Sequence, residues 1–158
     1  MMKATAHRVS SSTFTHSIDI RSHHLTIDEP TELGGEDEGP SPQELLAASL
    51  ASCTAITMEM YAKRKGWEIG VLEVSVEYAP AERGCPTRFL VELKLPAGCT
   101  EEQRERLQVI AAKCPVHRVL EGEVIFEDRI TLARPQAVPA ASAPEAAPQA
   151  SGLLLGQS

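Results

Sequence analysis

Ser41-Pro42-Gln43-Glu44 is the segment that most restricts the fold open to this chain. Ser at an N-cap accepts a hydrogen bond from the third helical N–H, and Glu at that third position reaches back to the cap. Pro presets φ at the first helical position. The motif predicts a long helix opening at Pro42. Apolar and small residues then run through Leu45, Leu46, Ala47, Ala48, Leu50, Ala51, Cys53, Ala55, Ile56, Met58 and Met60. A helix apolar nearly all round leaves little face for water, so it is expected to be central and buried. Lys63-Arg64-Lys65 supplies cations to the negative end of the helix dipole, and Gly66 ends the helix. The stretch from Leu45 to Met58 is too short, and too rich in Ser and Thr, to span a bilayer comfortably. No membrane partner is expected.

Around this helix the periodicity is that of strands. Met1 to Asp28 alternates in short runs, as in Phe14 to Ile20 and His24 to Asp28, with a turn near Arg21-Ser22-His23. Pro30 to Gly39 is an acidic, glycine-containing loop. Val71 to Tyr78 and Arg88 to Leu95 alternate as two further strands. Thr100-Glu101-Glu102-Gln103 is a second capping box, opening a helix that runs to about Cys114, and Val124 to Leu132 reads as a last strand. Strands segregated from two inserted helices define an α+β fold. A small sheet cannot cover so apolar a first helix, and a second copy of the chain is expected to cover the rest as a symmetric homodimer. The domain is expected over residues 1–134. Residues 135–158, rich in Ala and Pro with little to bury, are expected to be a disordered tail.

Charge and cysteine usage narrow the function. The net charge of −7 repels phosphate backbones, so nucleic acid is excluded as a partner. Residues 1–12 have no apolar signal-peptide core, which makes the cytoplasm the expected compartment. Cys53, Cys85, Cys99 and Cys114 form no Cys-x-x-Cys pair, so no structural metal site is expected. A static disulfide framework is disfavoured in a reducing compartment. Any one of the four could be a small buried hydrophobe.

Cys53 sits in the middle of the apolar helix, too far along to gain from its N-terminus, and burial there disfavours a thiolate. To act as a nucleophile it needs a cation or donor from another element. Cys114 precedes Pro115, His117 and Arg118. Because Pro115 cannot continue the second helix, Cys114 is expected at that helix's C-terminal boundary, where the dipole disfavours a thiolate. Two thiols brought within disulfide reach would make redox chemistry possible.

The run from Gly39 to Thr54 resembles the first-cysteine segment of the OsmC/Ohr family, and Ala62 to Trp67 continues it. Ala112-Lys113-Cys114-Pro115-Val116-His117-Arg118 resembles the second-cysteine segment. Asp28-Glu29-Pro30 and Gly34-Gly35 are similar to the acidic loop of an OsmC-like branch. The resemblance spans about His23 to Thr131. It implies an interlocked homodimer with helices packed between sheets. It also implies a peroxidase for organic hydroperoxides, with Cys53 oxidised to a sulfenic acid that Cys114 condenses into a disulfide. No bound cofactor is implied. An external thiol restores the pair; in the Ohr branch it is dihydrolipoyl.

The family further uses an arginine from the N-terminal strands and a glutamate near the start of the long helix. The corresponding candidates are Arg21, with Arg8 behind it, and Glu44, which matches the OsmC-branch glutamate. Glu44 also fits a plain capping role. It lies about 13.5 Å of helical rise before Cys53, so the two cannot meet on one helix. His23 and His24 could replace the guanidinium, or belong to a solvated turn. Cys85 and Cys99 match no family cysteine and read as incidental thiols. The alternative function is a non-catalytic protein that binds an apolar ligand or senses oxidation on the same fold. A Cys53-based hydrolase ranks last, since no Cys-His-Asp order is recognisable.

Overall fold

The alternation of the first thirty residues resolves into three antiparallel strands in a computed structural model that describes residues 2–132. They are β1 (Thr5–Arg8), β2 (His16–Ile20) and β3 (His23–Ile27), ordered β1-β2-β3. Arg21 and Ser22 form the two-residue turn between β2 and β3, and Arg21 takes a left-handed φ of 57°. In this register Asp19 faces His24, and its carboxylate meets the His24 ring at 2.7 Å.

A single buried carboxylate organises the acidic loop that follows. Asp28 is 1% exposed. It accepts hydrogen bonds from the backbone N–H of Glu29, Glu36 and Glu38 at 2.8, 3.1 and 3.3 Å, and from the Thr15 hydroxyl at 3.1 Å. Burial pushes its carboxyl up, but these four donors together hold it below the usual carboxylate range. The loop wraps so tightly that a Cβ at Gly35 would strike the Glu29 carbonyl, and one at Gly39 the Thr26 carbonyl.

The predicted capping box is present in full. The Ser41 hydroxyl caps the Glu44 N–H, and the Glu44 carboxylate accepts from the Ser41 N–H at 2.7 Å. From this cap α1 runs Pro42–Lys65 and closes on Gly66 at φ 68°. The expectation that it is buried all round needs correction. Leu50, Thr54, Met58, Tyr61 and Ala62 are buried, but Ile56 and Met60 remain 54% and 68% exposed. One sheet and two short helices can cover only one side of a 24-residue helix. By length and composition alone α1 could cross a bilayer; 28% of its most apolar stretch is buried, on the side that packs on β4, α2 and α3.

Strands β4 (Glu73–Ala79) and β5 (Arg88–Lys94) form a separate antiparallel pair, with Val74 opposite Leu93, Val76 opposite Val91 and Tyr78 opposite Phe89. Two helices complete the compact unit: α2 (Glu101–Ala111), opened by the Thr100 capping box, and α3 (Pro115–Glu121). The core joins Met58, Tyr61 and Ala62 of α1 to Ile69, Leu72, Cys99, Leu107 and Ala111. Cys99 is therefore a core residue, 7% exposed, although it lies in the loop before α2.

The chain divides into a unit of Met1–Val124 and a second unit from Ile125 onward. The strand expected over Val124 to Leu132 is absent: these residues have no regular structure, and Ile125, Phe126, Ile130 and Leu132 are 81–92% exposed. Alternation gives a segment a strand-like face, but a strand forms only against an edge that pairs with it. No described strand pairs with this segment. The tail expected over residues 135–158 lies outside the described residues.

Candidate active site around Cys114 and Thr54

Pro115 does not merely end α2; it begins α3. The second helix stops at Ala111, and Cys114 is the N-cap of Pro115–Glu121, with extended φ and ψ of −63° and 144°. This corrects the placement of Cys114 at a helix C-terminus, because a proline after a turn suits the first position of a new helix. The electrostatic consequence changes sign with it. The Cys114 sulfur accepts the His117 backbone N–H at 3.3 Å, where a helix C-terminus would have offered carbonyls.

A second donor reaches the same sulfur from α1. The Thr54 hydroxyl donates to Cys114 Sγ at 3.4 Å, across sixty residues of sequence. Both groups are inside: Cys114 is fully buried and Thr54 is 1% exposed. Thr54 directly follows Cys53, so the fold brings the two cysteine segments against each other at this point. Cys53 itself is half-buried, and all four cysteines are free thiols.

The other expected site residues are placed elsewhere. Glu44 is occupied by its cap, and the Ser41 backbone N–H, then the Ser41 hydroxyl, hold its carboxyl below the usual range. Arg21 stands exposed at the β2–β3 turn, lining a cavity with Met2, Lys3, Thr5, Asp19 and Ile20. His24 is bound to Asp19, and His23 is exposed. Arg8 donates to the Ser12 carbonyl at 3.2 Å. Within this chain, then, neither Arg21 nor Glu44 joins the thiols. Cys85 is exposed in the connection between β4 and β5.

Two cavities open on α1 and α3, and neither is lined by Cys53, Thr54 or Cys114. One, of 690 Å³, is walled by Met60, Tyr61, Ile110 and Pro115 and carries Lys63, Arg64 and Lys113. The other, of 500 Å³, is lined by Leu46, Leu50, Tyr78, Phe89, Val91 and the His117–Glu121 pair, whose side chains meet at 3.1 Å. Among the described residues, no group of three His, Cys, Asp or Glu side chains could hold a metal ion. Thr54 was not singled out from sequence, although a hydroxyl in an apolar helix beside a cysteine was visible there. The His117–Glu121 pair was equally legible as an i,i+4 spacing.

A long capped helix against a β-hairpin, a three-stranded sheet before it and two short helices after it define an α+β fold of the OsmC/Ohr class. The chain matches the OsmC-like protein family over residues 35–127 and belongs to that family. An uncharacterized protein of Acinetobacter baylyi is 28% identical over 104 residues, covering 64% of this chain and 71% of its own. Among solved structures, an OsmC-like protein from Mycoplasma pneumoniae superposes with a TM-score of 0.64 at 20% identity, covering 77% of this chain and 88% of that one. The organic hydroperoxide resistance protein OsmC of Legionella pneumophila gives 0.59 at 22% identity, with 77% and 90% covered. OhrB of Bacillus subtilis, also an organic hydroperoxide resistance protein, gives 0.55 at 23%, with 77% and 91% covered.

Proposed function

We propose that this protein is a thiol-dependent peroxidase that reduces organic hydroperoxides to alcohols. The Cys53 thiolate attacks the O–O bond of the hydroperoxide. Sulfur is oxidised to a sulfenic acid, the peroxide bond is reduced, and the alkoxide leaves to become an alcohol on protonation. The Cys114 thiolate then attacks the Cys53 sulfur, forming a disulfide and releasing hydroxide. An external dithiol, dihydrolipoyl in kind, takes the disulfide back to two thiols. The observation that carries this reading is the buried Cys114 sulfur held by two donors, one of them the residue next to Cys53.

The apolar walls of the two cavities on α1 and α3 suit alkyl peroxides. A homodimer fits the reading as well, since α1 leaves Ile56 and Met60 exposed. In a dimer a second copy could bring Arg21 or Glu44 to the thiols. A cytoplasmic setting, where free thiols stay reduced, is the compatible compartment. A second reading, an apolar-ligand binder or redox sensor, is favoured by one observation: Arg21 lies at the β2–β3 turn with residues of the N-terminal sheet about it.

Steady-state reduction of cumene hydroperoxide with a dithiol, in wild type and Cys53→Ser, separates the two. Turnover lost in the variant is expected; equal turnover in both overturns the peroxidase.

A further inference from the structure

A buried hydroxyl inside an apolar helix needs a reason. Thr in a helix commonly returns its hydroxyl to the carbonyl one turn back. Ser52, two residues earlier, does this with Ala48 at 2.8 Å. Thr54 does not: its one side-chain hydrogen bond among the described residues goes to Cys114 Sγ. A neutral thiol sulfur is a weak acceptor, so this pairing would be poor compensation for burying a hydroxyl. Yet the sulfur receives two donors, Thr54 Oγ1 and the His117 N–H, inside the fold, and the two together fix where Cys114 sits against α1.

We infer that Thr54 is a positioning residue for Cys114: its hydroxyl holds the sulfur against α1, one helical position from Cys53, for the disulfide-forming step. The step it serves belongs to the peroxidase reading above, but the placement of the Cys114 sulfur does not need peroxide. The thiolate gives an electron pair to the Cys53 sulfur, hydroxide departs from the sulfenic acid, and Thr54 releases its hydrogen bond as the S–S bond forms.

Two variants test this in the full-length chain. Thr54→Val keeps the branched shape and removes the hydroxyl; Thr54→Ser keeps the hydroxyl. After one equivalent of cumene hydroperoxide, site-resolved mass spectrometry with a sulfenic-acid trap follows both steps. In Thr54→Val, disulfide formation is expected to slow about ten-fold relative to sulfenic acid formation, with Cys53 sulfenic acid accumulating. Thr54→Ser is expected to restore the wild-type ratio. An unchanged ratio in Thr54→Val, or equal impairment in Thr54→Ser, overturns the assignment.

A second measurement works without peroxide. Diamide accepts two electrons and two protons from a pair of thiols, and mass spectrometry follows the rate at which it closes the Cys53–Cys114 disulfide in the reduced protein. A slower closure in Thr54→Val but not in Thr54→Ser supports the role; an unchanged rate overturns it. Should wild type form no sulfenic acid at all, the peroxidase reading is lost, and this second measurement alone decides the role of Thr54.

Discussion

Arg106 Nε donates to the Tyr61 phenol oxygen at 2.9 Å and so ties α2 to α1 at the edge of the core. The Tyr61 ring also packs edge-on to Trp67, with centroids 5.6 Å apart, and lies under the Arg64 guanidinium. The hydrogen bond from Arg106 outweighs burial and lowers the Tyr61 phenol from its ordinary range. Tyr61→Phe keeps the ring but releases the exposed guanidinium to solvent. The expected result is a melting temperature lower by about 5 °C, and Tyr61→Phe on an Arg106→Met background should cost much less. A thermal-unfolding double-mutant cycle reads the coupling; additive losses would show that the two side chains do not act as a pair.

Leu107 is fully buried between α2 and α1, beside Met58. Truncating it removes apolar burial and leaves a void that rigid neighbours fill only in part. Leu107→Ala is expected to lose about 3 kcal/mol in urea unfolding, at unchanged m-value. A loss below about 1 kcal/mol would mean the site is looser than its burial indicates.

Cys85 and Cys99 share a sequence reading as incidental thiols, but their surroundings differ. Cys99 packs in the core at 7% exposure, whereas Cys85 faces solvent. Cys99→Ser buries a hydroxyl among apolar groups and is expected to destabilise by about 1–2 kcal/mol, with Cys85→Ser within about 0.5 kcal/mol of wild type. Urea titrations of both variants check the contrast, and equal stabilities would remove Cys99 from the core.

Asp28 gives the fold an acid limit. Four donors lower its carboxyl below the model-peptide value of 3.8. The unfolded chain therefore binds this proton first as pH falls, and stability rises with pH through that range. The contribution is whole above the unfolded value and is lost as pH drops toward the folded one. Asp28→Asn should be less stable than wild type at neutral pH, and the gap should close below about pH 4. Melting temperatures of both proteins from acid to neutral pH test this; a constant gap would assign the destabilisation to something other than the charge.

Much of the architecture is written locally. The Ser41–Glu44 box, Pro42 and Gly66 set both ends of α1 through interactions spanning only a few residues, and the Thr100–Gln103 box does the same for α2. Alternation placed β2 through β5 within a few residues of their observed bounds, because side-chain period is a property of the strand itself. Local signals failed where the outcome depended on a distant partner. Val124 to Leu132 alternates, yet no described edge pairs with it. Pro115 was equally fit to end one helix or begin another, and the three-dimensional path of the chain selected the second.

The candidate site divides along the same line. Cys53 and Cys114 could be picked out by motif, since their residue types and flanking segments are one-dimensional facts. The environment of each sulfur could not, because a hydrogen bond from Thr54 to Cys114 crosses sixty residues and exists only after α1 and α3 pack. Sequence alone determined which thiols this protein carries and the helix that presents the first. Tertiary structure decided which donors surround the second, because hydrogen bonding and burial act over a few ångströms of space regardless of separation along the chain.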